Sequence, residues 1–434
     1  MNNIFNILLI FILITNCSFQ KNSKFWTNEK IVEEKQENKL IIVNKKEEVL
    51  NLEMNPNLKI SLKTKSINKS FINNLNNNNG RINYDGNLKN ISKFRFSKID
   101  NFYQYNPELA FENGNIIFFD NKGSIIKFDR DSNLIWKKNY YSKNEKKLKP
   151  QLNFLQTGDN LLVVDNIAKY YSININSGKL NWSKNSTYPF NSEIKKNKDK
   201  FFVIDYKNTL RCYKIENGSE CWNLQTENSF TISNSKFSLI IVNDMVIFSN
   251  SIGDITAADI ETGLIVWQLP TQSSNIINET YSFKISQLVS DGKSIFFSNN
   301  KNEFYSVDVN TGVTNWINDI SSNLTPVIID NLIFTVSNDG YLHVIEKSNG
   351  NIIRINDLYL NYKLKKRNDI KPIGFVIGND KLFLTNTDGK MIIIDLSDGK
   401  ITGIEKVAGD FTSKPFIHNQ NLFIIKNGSI LKFN

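Results

Sequence analysis

"AADIETGLIVWQ" at residues 257–268 and "SVDVNTGVTNWI" at residues 306–317 say nearly the same thing. In each, an Asp is followed by a Thr-Gly pair, and a tryptophan stands four residues after the glycine. Glycine takes a positive φ without a Cβ clash, as a type I turn followed by a bulge requires. The polar residues ahead of it can cap the turn with their own side chains. β-Branched and aromatic runs flank the turn, so the stretch reads as a hairpin between two strands.

The same hairpin recurs along most of the chain. Its turns read "DRDSNLIW" (129–136), "NINSGKLNW" (174–182), "IENGSECW" (215–222), "IETGLIVW" (260–267) and "VNTGVTNW" (309–316). Trp136, Trp182, Trp222, Trp267 and Trp316 are thus spaced by 46, 40, 45 and 49 residues. Two later copies, "KSNGNIIR" and "LSDGKITG", put Arg354 and Gly403 where the tryptophan should stand. Gly178, Gly218, Gly263, Gly312, Gly350 and Gly399 fill the positive-φ slot, and Asn133 fills it in the first copy. Ahead of each turn lies a pair of strand-like runs, such as "NIIFFDNKGSIIKFD" (115–129) or "KLFLTNTDGKMIIIDL" (381–396). Counting "NLFIIKNGSILKF" (421–433), there are eight such units. A period of about forty to fifty residues with several strands per unit is the signature of a β-propeller. The expected fold is all-β with eight blades, seven being the fallback. Each tryptophan is expected to dock on the neighbouring blade, where burying about 150–250 Å² is worth roughly 4–6 kcal/mol as an upper bound. A row of indoles for stacking a ligand is the alternative use.

The eighth unit stops at Asn434 just after its third strand. "KFRFSKI" (93–99) can supply the missing outermost strand, because Phe94 and Phe96 alternate with Lys93, Arg95 and Lys98. Closure of the ring in this way removes open sheet edges. The propeller domain is therefore expected over residues 93–434.

Ahead of it, "MNNIFNILLIFILITNC" has an apolar run too short to span a bilayer but suited to a signal peptide over residues 1–16. "ITNC" resembles a bacterial lipobox and makes Cys17 the expected lipidation site, although Asn16 replaces the usual Gly or Ala and no Lys or Arg precedes the run. Ser18 rather than Asp after the cysteine favours the outer membrane. Residues 17–92 are polar and show no sustained period, which reads as a flexible, disordered tether.

The net charge of +10 is diffuse lysine in Asn-rich text without a nucleic-acid motif, so no nucleic-acid partner is expected. Three cysteines and two histidines without CxxC or HExxH spacing leave little for metal chemistry. His343 and His418 read as surface or satisfied histidines. Cys212 and Cys221 flank the turn of the third unit. If its register follows the others, Cys212 faces Trp222 and Cys221 faces Tyr213, which sends the sulfurs to opposite sides of the sheet as free thiols. One residue of slip would bring them together.

The pattern D-x-x-T/S-G-x-x-x-W, once per blade, resembles the repeat of pyrroloquinoline-quinone (PQQ)-like propellers. With the closing strand, the lipobox and "NFYQYNPELAFENGNIIFFDNKGSIIKFDRDSNLIW" (101–136), the layout of residues 93–434 is similar to the BamB family of outer-membrane lipoproteins. That resemblance implies a scaffold without catalytic residues, cofactor or small-molecule substrate. It would be lipid-anchored at the periplasmic face of the outer membrane, where it binds the periplasmic region of the BamA-type barrel insertase. The family's contact loop matches "ENSFTISNSKF" (227–237), with Phe230 and Ile232 as apolar contacts, although Ser233 stands where an Arg is expected. Plain strand core is the other reading of those two residues. The family's acidic loop is not recognisable in "PTQSSNIINETYSF" (270–283). Two alternatives remain: a propeller for another cell-envelope partner, and a quinoprotein dehydrogenase using PQQ and calcium. The latter usually shows an adjacent Cys-Cys pair, which this chain lacks.

Overall fold

The computed structural model describes residues 52–67, 77–86, 88–105, 107–227, 235–271 and 283–434. It is an eight-bladed β-propeller: eight antiparallel sheets, each of four strands. Blades 1 to 7 span residues 110–138, 152–185, 195–225, 239–269, 289–318, 327–357 and 372–406, each in simple chain order from the axis outwards. Blade 8 combines three strands from residues 416–433 with the strand Asn90–Arg95, which pairs with Ser429–Phe433 and closes the ring. Phe94 is fully buried opposite Ile430.

Sheet faces in a propeller are covered by the neighbouring blades, so the second and third strands are apolar without alternation. Lys200–Ile204 (KFFVI) and Lys390–Asp395 (KMIIID) are buried along almost their whole length. The core is a series of layers between blades; one such layer joins Ile240, Ile247 and Ala257 of blade 4 to Leu288, Phe297 and Val307 of blade 5. The fourth strands alternate instead, as in Leu134–Lys138, where Trp136 alone is buried.

Every fourth strand of blades 1 to 7 carries one extra residue immediately before the tryptophan position. Such a bulge re-aims the next side chain, and it turns each tryptophan onto the turn of the following blade. Trp136 lies on Gly178, Trp182 on Gly218, Trp222 on Gly263, Trp267 on Gly312 and Trp316 on Gly350. A Cβ at Gly312 would stand 2.7 Å from the Trp267 ring, and Gly312 itself has φ 71°. The glycine therefore has two jobs, of which the turn pattern reveals one. Three indoles also donate from Nε1 to the carbonyl three residues before that glycine: Trp182 to Ile215 at 3.1 Å, Trp267 to Val309 at 2.8 Å and Trp316 to Lys347 at 3.2 Å. In the first junction Lys127 Nζ occupies the equivalent carbonyl of Ile175 at 3.1 Å.

Several details depart from the sequence-based expectation. In the first turn the positive φ belongs to Ser132 (70°) rather than Asn133, because that turn is one residue shorter and closes from Ser132 N to Asp129 O. Cys212 does face Trp222, but Tyr213 pairs with Glu220, leaving Cys221 as the extra residue of the bulge. Cys221 consequently joins the apolar cluster that contains Cys212 instead of pointing to the opposite side. The closing strand begins at Asn90 rather than Lys93.

The largest difference concerns the polar segment assigned to the tether, part of which docks on the propeller. Met54 forms a two-way backbone bridge with Ile355 on the outer edge of blade 6 (2.8 and 3.2 Å), and Ile60 N donates to Ser397 O on blade 7 at 2.7 Å. Ile82 and Tyr84 are buried between blades 7 and 8, where Ile82 N donates to Ile377 O at 3.0 Å. This strap covers the blades that lack tryptophans. Arg354, fully buried in the tryptophan slot of blade 6, donates to Leu396 O (2.9 Å), the carbonyl an indole would take, and to Ser397 O (2.8 Å). It also donates to Leu58 O of the strap at 3.0 Å, and Asn356 Nδ2 donates to Pro56 O at 3.2 Å. On blade 6 much of the docking uses the strap's own backbone groups, which composition does not reveal.

Replacing Trp267 by Ala removes a buried indole, its hydrogen bond and the cover on Gly312; the urea unfolding midpoint should fall by the equivalent of about 3–5 kcal/mol. Gly312→Val should also destabilise, through both φ and the clash. A change below about 1 kcal/mol in both variants would mean that the indole is not a blade junction.

Candidate functional site

Around the axis of the ring, the first strands are largely apolar, but the segments leading into several of them carry charged and amide side chains. Lys195, at the start of blade 3, is fully buried and lies 3.0 Å from Glu193 Oε2; its Nζ also donates to Asn77 Oδ1. Glu193 Oε1 accepts from Gln287 Nε2 ahead of blade 5, and Gln287 Oε1 accepts from Thr325 Oγ1 ahead of blade 6 at 2.8 Å. Lys414 Nζ sits 2.9 Å from Glu108 Oε1 and ties the approach to blade 8 to the approach to blade 1. Lys236 Nζ donates to Asn153 Oδ1 at 2.6 Å, which joins the approach to blade 4 to blade 2.

Burial alone would raise the Glu108 carboxyl, but Lys414, backed by Lys236 and Lys195, holds it well below the usual carboxylate range. Burial likewise works to lower Lys414, and Glu108 and Glu193 overcome it, so its ammonium is raised. Breaking such a buried pair leaves an uncompensated charge and is costly, even where the intact pair adds little net stability. These contacts therefore set which first strands stand next to or across from one another.

The strap enters this region. Asn78 satisfies both backbone groups of Ile328 on the first strand of blade 6, with Ile328 N donating to Oδ1 at 3.1 Å and Nδ2 donating to Ile328 O at 3.3 Å. With Asn77 reaching Lys195, residues 77–80 extend from blade 6 to blade 3. Beside them remains a cavity of about 60 Å³, lined in part by Asn79, Gly80, Phe375 and Pro415, which is room for a few waters. A run of asparagines has no periodicity to betray such a role.

All five tryptophans lie on fourth strands at blade junctions, away from the axis. Cys17, Phe230 and Ile232 lie outside the described residues. The connection that holds Phe230 and Ile232 returns to the axis at Phe237, which bridges Ser192, and Asn191 Nδ2 donates to Ser235 O at 2.9 Å. His418 stacks on Phe111, with 4.2 Å between ring centroids. His343 is neither on the surface nor satisfied: it is buried in the third strand of blade 6, and among the described residues its Nδ1 has no partner. Burial pushes its imidazole down to about 4. Among the described residues, no group of three His, Cys, Asp or Glu is placed to hold a metal ion, and no helix is long and apolar enough to cross a membrane.

Eight radial sheets, with a tryptophan-and-glycine turn joining successive blades, define a propeller of the PQQ-like repeat class. The sequence profile described as outer membrane protein assembly factor BamB matches residues 121–356, more than half of the chain, and the chain belongs to that family. A curated relative, the outer membrane protein assembly factor BamB of Shewanella oneidensis, is 23% identical over 209 residues. That match spans 45% of this chain and 47% of the relative, so the chain matches about half of that protein's length. The crystal structure of BamB from Moraxella catarrhalis superimposes with a TM-score of 0.63 at 16% identity, covering 80% of this chain and 99% of that one. The quinohemoprotein alcohol dehydrogenase from Comamonas testosteroni superimposes with a TM-score of 0.60 at 9% identity, covering 81% and 78%. Likeness at such identities is one of fold, and a shared propeller carries no chemistry with it.

The buried His343 makes a pH dependence testable. The unfolded chain takes up this proton near pH 6.5 and the folded one only near pH 4, so its stabilising effect is present above pH 6.5 and is lost as pH falls towards 4, by about 3 kcal/mol in total. The fall of the unfolding midpoint over that window should be smaller in His343→Gln than in the wild type; equal slopes would show that the imidazole is not held neutral.

Proposed function

We propose that the protein is a non-catalytic scaffold of outer-membrane β-barrel assembly, presenting rim loops to the periplasmic region of a BamA-type insertase. Family membership supports the assembly role. The observation that carries the scaffold reading is the state of the axis. The place where a propeller of this class could admit a ligand is filled by the chain's own Lys195, Glu193 and Gln287 and by the strap at Asn77. A ligand there would have to displace buried, mutually satisfied charges. The rims remain for recognition, since connecting loops on a rigid scaffold carry contacts at little structural expense.

On this reading residues 1–16 are a signal peptide and Cys17 carries lipid at the periplasmic face of the outer membrane. The stretch from Cys17 to Asn51 leads to the docked strap, and the propeller body acts at a distance from the membrane. Phe230 and Ile232 are the proposed apolar contacts with the insertase. An apolar pair in a loop contributes through burial against a partner groove, and replacing both by Asp should weaken capture about tenfold or more.

Affinity purification from native membranes should recover the insertase with the wild-type protein, and much less of it with Phe230→Asp/Ile232→Asp, at an unchanged thermal midpoint. Recovery of a different envelope protein in its place would favour another partner. Radiolabelled palmitate should enter the wild-type protein and be absent from Cys17→Ala; label persisting in that variant would show that Cys17 does not carry the lipid.

A further inference from the structure

The bulge that aims each tryptophan brings another pair of side chains together. The extra residue of the bulge lies beside the third-strand residue that faces the tryptophan position. Blades 2 and 5 give the distance: Asn181 Nδ2 donates to Ser172 Oγ at 3.1 Å, and Asn315 Nδ2 donates to Ser306 Oγ at 3.2 Å. In blade 7 Thr402 Oγ1 reaches the backbone oxygen of the equivalent residue, Ile393, at 3.2 Å. In blade 3 the same two positions are Cys221 and Cys212. Both are free thiols, and both pack with Phe202 and Trp222 in one apolar cluster. A regular ladder would alternate the two sulfurs across the sheet; the bulge cancels that alternation.

We propose that Cys212 and Cys221 form an oxidation site that closes to an intrablade disulfide by exchange with a disulfide-bearing oxidant, either a thiol oxidoreductase or a small-molecule disulfide. Cys221, partly exposed, loses its proton to solvent, and its thiolate attacks one sulfur of the oxidant. The oxidant's S–S bond breaks, one of its sulfurs leaves as a thiolate, and a mixed disulfide remains on Cys221. Cys212 then gives up its proton and attacks Cys221 Sγ. The mixed bond breaks, the Cys212–Cys221 bond forms, and the second sulfur of the oxidant leaves. In sum, two protein thiols lose two protons and two electrons, and the oxidant is reduced to two thiols.

Burial sets the order. Cys212 is fully buried and its thiol is pushed up by that burial and then by Cys221, so it ionises second. The Lys200 ammonium, ion-paired with Glu261, works against that rise at Cys212. The bond would close a loop that contains Gly218, the seat of Trp182, and would stiffen blade 3 just ahead of the connection that holds Phe230. It stands whether or not the insertase is the partner.

The test uses the full-length protein equilibrated with oxidised glutathione, digested with trypsin and read by mass spectrometry. The expected product is a reducible link between the peptides 212–214 and 215–236 with the loss of two hydrogens. The thermal midpoint should rise by about 2–5 °C relative to the reduced protein. Cys212→Ser, or Cys212→Ala should the serine variant not fold, should instead retain glutathione on Cys221, because no second thiol is there to release it. The proposal is overturned if the wild type retains glutathione on Cys221 as stably as the variant, or if both thiols remain free.

Discussion

An indole can lie flat on a neighbouring sheet's turn only where that turn has no Cβ. This contact repeats from blade 1 to blade 6 and determines the architecture around it. It requires a glycine at positive φ in one blade and a bulged fourth strand in the preceding one. Each blade is thereby defined by its neighbour, and no blade buries its faces alone. A chain of such sheets reaches its full burial only as a ring, so the ring has to close.

Closure is where the regular pattern gives out. Blades 6 and 7 carry Arg354 and Gly403 in the tryptophan slot, and the polar N-terminal segment crosses these blades. Arg354 reproduces the donor role of the indole towards Leu396 O and adds a bond to Leu58 O of the strap. Ile82 and Tyr84 then fill the layer between blades 7 and 8, and Asn90–Arg95 completes blade 8. The N-terminal chain thus belongs to the ring as much as any blade does.

The turn glycines, the tryptophans and the closing strand were legible in the sequence because each imposes a local residue requirement at a fixed offset. What stayed hidden follows from interactions without such a requirement. Asn77 and Asn78 dock through amides on a lysine and on backbone groups, which any polar segment could supply. Glu108 and Lys414 lie more than 300 residues apart in the chain and meet only once the ring is closed. The position of Cys221 depended on one extra residue in a ladder, and the shorter first turn moved a positive φ from Asn133 to Ser132. Of the candidate site, the blade junctions could be read ahead of the structure and the charged axis could not.

The N-terminal strap and the strand Asn90–Arg95 are structural parts of the ring. Amide hydrogen exchange measures this directly. The amides of Phe94 and Phe96, together with those of Met54 and Ile60, should be protected to the same extent as Ile430 and Leu431 in the strand that Asn90–Arg95 covers. If the N-terminal amides exchange at the rate of an unstructured chain while those of blade 8 stay protected, the ring does not need them and the claim fails.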